Sequence, residues 1–402
     1  MYNIRNIKDD LVYIGCSDRR LKLFESAYPI PNGVSYNSYL LLDEKTVLFD
    51  TVDKHCFDSF FENLKAALGD RTLDYLVVQH MEPDHASLIS WVKTLYSDVK
   101  IVCTAKTQAM IKQFFDFDID SCSLVVKEGD VLNTGKHELQ FVMAPMVHWP
   151  EVMVTYDKTD KILFSADAFG SFGAINGSLY DNAPDWKCKY IDEARRYYTN
   201  IVGKYGPQVQ MLLKKAATLD IKLICPLHGL LIKENIGTFV EKYDKWSTYT
   251  PEEKGVLIAY SSVYGGTENA VEILAAKLAD KGVNNIELCD VSFTHHSEIL
   301  AKAFKYSHIV LASTTYNAGV FESMQAFIHS LVSHNLQNRK FVLLENGSWA
   351  ATCGSQMKTE LEKLKSAEIL TDCFSVKSKL KENQLTELDN VVITIENSLN
   401  LI

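Results

Sequence analysis

The sequence predicts two consecutive α/β domains, the second a doubly wound five-stranded parallel sheet. Three observations carry this expectation. Beyond residue 250, apolar strand-length runs alternate regularly with amphipathic helical stretches. Before residue 250, short apolar runs recur with helical patterns between only some of them, the sign of a mixed sheet-rich core. Between the two patterns lies the polar, proline-containing segment STYTPEEKG, which reads as a linker. The boundary is therefore placed at residues 1–250 and 251–402. A chain of 402 residues also exceeds what one ordinary core accommodates.

In the first part, residues 34–49 read as a β-hairpin, VSYNSYLLL turning at DEKT into VLF. Further strands are expected at residues 73–78, 100–102, 139–143, 152–156, 162–165 and 221–225, with helices over CFDSFFENLKAALG, SLISWVKTLY and residues 233–246. In the second part the order is strand GVLIAY, helix from Glu268, strand IELCDV, helix from Ser297, strand HIVLAS, helix from Glu322, strand FVLLEN, helix from Gln356, strand CFSVKS, helix from Glu382.

Composition excludes several classes of function. Hydrophobic residues at 47% and charged residues at 23% are those of a globular protein. A formal charge of -10 without any basic run argues against a nucleic-acid partner. The first residues lack the apolar stretch of a signal peptide, and no apolar run approaches a membrane span, so a cytoplasmic location is expected. The nine cysteines are scattered and form no C-x-x-C pair, which points to buried thiols rather than disulfides or a cysteine-rich metal knuckle.

Residues 80–85 read HMEPDH directly after the strand YLVVQ. His80, Glu82, Asp84 and His85 thus crowd four potential ligands at a strand end, where carboxylates and imidazoles repel or strain unless a cation compensates them. A lone histidine there would be read as structural; a cluster is harder to dismiss. His148, Asp167 and His228 each follow a strand as well, so residues distant in sequence are expected to converge on one rim. Seven nitrogen and oxygen ligands exceed the four of one tetrahedral ion and suit two ions sharing a carboxylate. Asp50 and Asp53 are expected to brace the metal loops, Met146 and Trp149 to wall the site, and His55 and His137 to lie at the surface. His295, His296, His308, His329 and His334 show no ligand pattern and are read as exposed or structural.

After GVLIAY comes SSVYGGTEN, opening a helix. Hydroxyls and glycines between a strand and a helix N-terminus can surround a phosphate with N–H groups and Oγ atoms. Neither G-x-x-x-x-G-K-[ST] nor G-x-G-x-x-G is present. The loops STTYNAGVFE and NGSWAATCGSQ follow the third and fourth strands, at the edge where a ligand crevice opens, and carry Tyr316 and Trp349 for a planar ring.

The ligand set resembles that of the metallo-β-lactamase superfamily, H-x-H-x-D-H with distant His, Asp and His, except that Glu82 stands where that pattern has histidine. A carboxylate there favours redox iron over zinc. With that departure the chain resembles the flavodiiron proteins. The resemblance implies an N-terminal metallo-β-lactamase-like αβ/βα sandwich and a C-terminal flavodoxin-like domain. It further implies one iron on His80, Glu82 and His148, a second on Asp84, His85 and His228, and Asp167 bridging them. For FMN it implies Ser262, Tyr264, Gly265, Gly266 and Thr267 at the phosphate, and Thr315, Tyr316, Asn317, Ala318, Gly319, Gly347, Ser348 and Trp349 at the isoalloxazine. The implied reaction is reduction of dioxygen to water, of nitric oxide to nitrous oxide, or of both. Electrons would come through FMN from an external donor such as rubredoxin, in a head-to-tail homodimer or a dimer of dimers. The alternative is a zinc-dependent hydrolase fused to an FMN-binding domain.

Overall fold

The apolar runs of the N-terminal half form two sheets that share one core. The first has the strand order Arg5–Asn6, Leu11–Tyr13, Tyr39–Leu42, Thr46–Phe49, Tyr75–Val77, Lys100–Cys103, Ser123–Val125. The second runs Val131–Asn133, Glu138–Met143, Met153–Asp157, Ile162–Phe164, Leu223–Cys225. Alternate residues of both face inward, and Phe49 stacks on Phe164 at 3.9 Å between ring centroids. The computed structural model describes residues 1–182 and 189–400. It divides into one unit of Met1–Tyr198 with Pro207–Asp244 and a second of Thr199–Gly206 with Lys245–Ile402.

Strand direction places the functional loops. In the second sheet Glu138–Met143, Ile162–Phe164 and Leu223–Cys225 all run the same way, so the segments holding His148, Asp167 and His228 leave from one rim. In the first sheet Thr46–Phe49, Tyr75–Val77 and Lys100–Cys103 are parallel, and the middle strand leads into residues 79–85. The predicted hairpin is Tyr39–Phe49 only. Val34–Tyr36 pairs instead with Cys16–Asp18, because Asn37 breaks the strand to donate from Nδ2 to the carbonyls of Pro226 and Gly229.

His137 is a correction. Its polar neighbours suggested the surface, yet it is 1% exposed, with Nδ1 at 2.8 Å from Asp157 and Nε2 at 3.1 Å from Asp10. Asp10 belongs to the first sheet's edge and Asp157 to the second sheet, so the imidazole clasps one to the other. Asp53 differs from expectation too. It caps the turn Lys54–Cys56 through the amide of His55 and does not brace a ligand loop.

In the second unit the sheet order is Ile286–Asp290, Glu253–Tyr260, Tyr306–Tyr316, Arg339–Asn346, all parallel. The fifth position is shared by two short strands, Ala367–Ile369 and Phe374–Val376, which pair with opposite ends of Arg339–Asn346. Order reverses at Glu253–Tyr260, so the loops after it and after Tyr306–Tyr316 open at the switch point, where doubly wound sheets bind ligands. The helices Gly266–Asp280 and Leu385–Asn400 pack together over one set of inward residues, among them Val256, Ile258, Val310 and Val342. Arg339 lies fully inside. Its guanidinium donates to the carbonyls of Ala303 and Phe304, which end the helix His296–Lys305, and to those of Tyr249, Gln337 and Asn338.

Two outcomes follow. Burial disfavours the imidazolium of His137, but Asp157 and Asp10 overcome it and push the group up to about 9. Its folded value exceeds the unfolded one, so its stabilisation is complete below about pH 6.5 and is lost as pH rises through about 9. His137→Gln should cost roughly 2–3 kcal/mol at pH 6, and the gap to wild type in denaturant unfolding should close by pH 10; a gap independent of pH would refute the clasp. Arg339→Leu leaves buried carbonyls unpaired and should cost the second unit roughly 3–5 kcal/mol, measured by denaturant unfolding of that unit.

Candidate metal and flavin sites

The strand Tyr75–Val77 ends under Asp50, whose carboxylate accepts the amides of Gln79 and His80 at 2.8 and 3.3 Å. That turn aims His80 inward. Pro83 then begins a single helical turn, Pro83–Ala86, which sets Asp84 and His85 on the same side, and Thr51 donates its hydroxyl to the carbonyl of His85 at 2.6 Å. His148, Asp167 and His228 arrive from the second sheet.

These seven residues meet in two groups, His80, Glu82, His148 and Asp167, and Asp84, His85 and His228. All seven are buried. Asp167 faces both groups: Oδ2 lies 3.0 Å from His148 Nε2 and 3.4 Å from His80 Nε2, while Oδ1 lies 3.3 Å from His85 Nε2 and 3.7 Å from His228 Nε2. The imidazoles meet nitrogen to nitrogen, His80 with His148 at 3.3 Å and His85 with His228 at 3.0 Å. Both oxygens of Asp84 and Oδ1 of Asp167 are buried without a hydrogen-bond donor. Carboxylate oxygens left so, opposite converging imidazole nitrogens, are the donor set of divalent cations, and the residues present fit two of them.

Electrostatics agree with that fit. Burial alone would raise the Asp167 carboxyl, but His85, His80 and His148 hold it well below the usual carboxylate range, and Glu82 is lowered by His148 and His80 in the same way. Burial opposes the charged form of His148, which Asp167 and Glu82 nevertheless push up to about 9. The pocket therefore attracts positive charge strongly.

Two carboxylates here were not foreseen. Glu151 Oε1 accepts from the amide of Met81 and pairs with His80 Nδ1, each at 2.9 Å, so it orients His80 from outside the group. Glu25, on the turn between Leu23–Phe24 and Tyr28–Pro29, is pushed up to about 8 by burial and by its contact with Glu82. The nitrogen Nδ1 of His228 is held by the carbonyl of Ser35 at 2.7 Å. Trp149 meets His80 edge-on at 5.3 Å, in the wall position expected of it.

In the second unit, Gly265 is left-handed at φ +80 and caps the helix Gly266–Asp280. A Cβ on Gly266 would meet the carbonyl oxygen of Ser378 at 2.0 Å, so only glycine fits. Ser262 accepts the amide of Glu268 at 3.3 Å. Thr267 turns its hydroxyl inward, to Thr314 at 3.0 Å and Asn346 at 3.3 Å, leaving backbone N–H groups of the first turn for an anion. Asn317 and Ala318 are both left-handed and fold Gly319–Val320 back on Thr315 and Tyr316. Thr315 accepts the amides of Thr352 and Cys353. A Cβ on Gly347 would strike the carbonyl of Ala350, and Ser348 is bonded to Ser378, a residue on a fourth loop with no marker in the sequence. Tyr264 is 97% and Trp349 94% exposed, with Tyr316 half exposed. Large aromatics so bare, beside an amide-lined turn, fit a planar ring bearing a phosphate.

Comparison with known proteins follows the same lines. A family model described as ODP family beta lactamase matches residues 34–229. The chain is 30% identical over 366 residues to the nitric oxide reductase of Moorella thermoacetica, covering 90% of each. It is 27% identical to the anaerobic nitric oxide reductase flavorubredoxin of Escherichia coli, over 89% of this chain and 74% of the other. Among solved structures, rubredoxin oxygen:oxidoreductase of Desulfovibrio gigas superposes with a TM-score of 0.92 at 27% identity, over 99% of both chains. The flavodiiron protein of Giardia intestinalis shares the fold at a TM-score of 0.89 and 23% identity, over 99% of this chain and 97% of that one. Relationship at this level extends over both units of the chain, and the chain belongs to the flavodiiron protein family.

Proposed function

We propose that this protein reduces dioxygen to water, nitric oxide to nitrous oxide, or both, drawing electrons through FMN from an external donor such as rubredoxin. The observation that carries the reading is Asp167, whose two oxygens face the two ligand groups separately. In this reading residues 1–250 carry the iron and residues 251–402 the flavin. His80, Glu82 and His148 would hold one iron and Asp84, His85 and His228 the other, with Asp167 shared between the two groups. Ser262, Tyr264, Gly265, Gly266 and Thr267 receive the FMN phosphate, and the loops at Thr315–Gly319 and Gly347–Trp349 border its ring.

When bound, the irons supply a paired reducing centre for a small molecule, and FMN takes electrons in pairs and passes them singly. The chain's own residues do the rest. Glu151 and the carbonyl of Ser35 fix the rotation of His80 and His228, so that each presents Nε2. Phe24 meets His228 edge-on and Tyr197 lies tilted against it, with Phe172 packed on both of them, keeping bulk water from that side. Among the described residues no helix is long and apolar enough to cross a membrane. The working assembly is proposed to be a head-to-tail homodimer or a dimer of such dimers.

Iron and zinc content of protein purified without added metal, with anaerobic flavin reduction followed by O2 or NO, tests the reading. Rapid flavin reoxidation with iron bound is expected; zinc alone with hydrolysis of a lactam or thioester would replace the reductase by a hydrolase. His148→Asn should abolish gas reduction and lower iron content while FMN stays stoichiometric. Glu151→Gln should weaken iron binding roughly 10–100-fold in competition with a chelator and leave FMN unchanged; unaltered iron affinity would remove its orienting role.

A further inference from the structure

Outside both sites, two cysteines meet. Cys16 opens the strand Cys16–Asp18, and Cys56 closes the turn Lys54–Cys56, which packs directly against that strand. Of the groups around the Cys16 thiol, that of Cys56 bears on it most strongly. Their exposure differs. Cys56 is 8% exposed, whereas Cys16 is half-buried and lines a solvent-open cavity of about 570 Å³ together with Arg5, Arg19 and Asn63. Other thiols such as Cys103 and Cys225 are fully buried. Chemistry can therefore reach this pair from one side, at Cys16.

We propose that Cys16 and Cys56 are an oxidisable dithiol, a modification site that a hydroperoxide converts to a disulfide. The Cys16 sulfur attacks the peroxide, an S–O bond forms as O–O breaks, and one oxygen leaves as water or alcohol. Cys56 then attacks the Cys16 sulfur, the S–S bond forms, S–O breaks, and water leaves. In sum the thiols lose two electrons and two protons, and ROOH becomes ROH and water. Contact with Cys56, burial, and the carboxylates of Asp18 and Asp53 hold the Cys16 thiol well above its ordinary range. The thiolate is scarce at neutral pH, so the reaction is slow there and accelerates with pH.

The crosslink joins two segments that support the ligand loops. Cys16 pairs in register with Tyr36, next to Ser35, whose carbonyl holds His228. The turn bearing Cys56 continues from Asp50 and Thr51, which hold residues 79–85. Oxidation would thus tie the supports of both ligand groups to each other while leaving the ligands themselves unmodified.

The test uses the iron- and FMN-loaded full chain, reduced and then treated with tert-butyl hydroperoxide at pH 7 and pH 8.5. Free thiols are blocked, and peptides are mapped before and after reduction. A Cys16–Cys56 linked peptide, loss of two of the nine thiols, reversal by dithiothreitol and faster formation at pH 8.5 are expected. The crosslinked protein should melt roughly 5 °C or more higher. Cys56→Ser should leave a dimedone-trappable sulfenic acid on Cys16, and Cys16→Ser should protect Cys56. Separate alkylation of both cysteines in oxidised wild-type protein would overturn the proposal, as would linkage of either to a different cysteine; the wild-type map decides even if a variant does not fold.

Discussion

One buried carboxylate organises the N-terminal unit. Asp167 is wholly enclosed and faces four imidazole nitrogens, two on each side. A carboxylate in such a place is tolerable only with positive charge around it. The histidines that supply that environment come from loops of both sheets, and each loop has its own support: Asp50 under His80, Thr51 under His85, the Ser35 carbonyl behind His228. The sandwich can be understood as the means of bringing these supports to one rim, with its strands run in the directions that place their ends there.

Much of this was legible in the sequence, for a physical reason. Ligands that sit immediately after apolar strands carry their own address, because strand ends in such folds gather at one edge. HMEPDH, His148, Asp167 and His228 were each found in that way, and the fold and family followed. The loops at the switch point of the second sheet were legible on the same ground, as glycine- and hydroxyl-rich breaks between strand and helix.

What escaped lacked a local marker. Glu151 sits 71 residues from the His80 it orients, in a loop whose composition says nothing of that partner. His137 stands between a lysine and a glutamate, and its burial comes from carboxylates 20 and 127 residues away. Ser378 touches Gly266 and Ser348 only because the last loop folds over the first. The split fifth strand had the same cause: CFSVKS was apolar enough to be seen, whereas Ala367–Ile369 is a short edge pairing that alternation does not reveal. Local pattern finds what a strand end presents, and long-range polar pairing lies beyond it.

The origin of the ligands in two different sheets has a consequence for how the protein matures in a cell. On the proposed reading, ions held by loops from both sheets would link their folding to metal supply, since binding energy available only to the assembled rim becomes stability of the whole sandwich. The clasp at His137 and the stacked Phe49 and Phe164 hold the same sheets together without any ion. On that reading a newly made chain would have a scaffold on which to wait for iron, and shortage would act as a delay in maturation before it acted as a loss of fold.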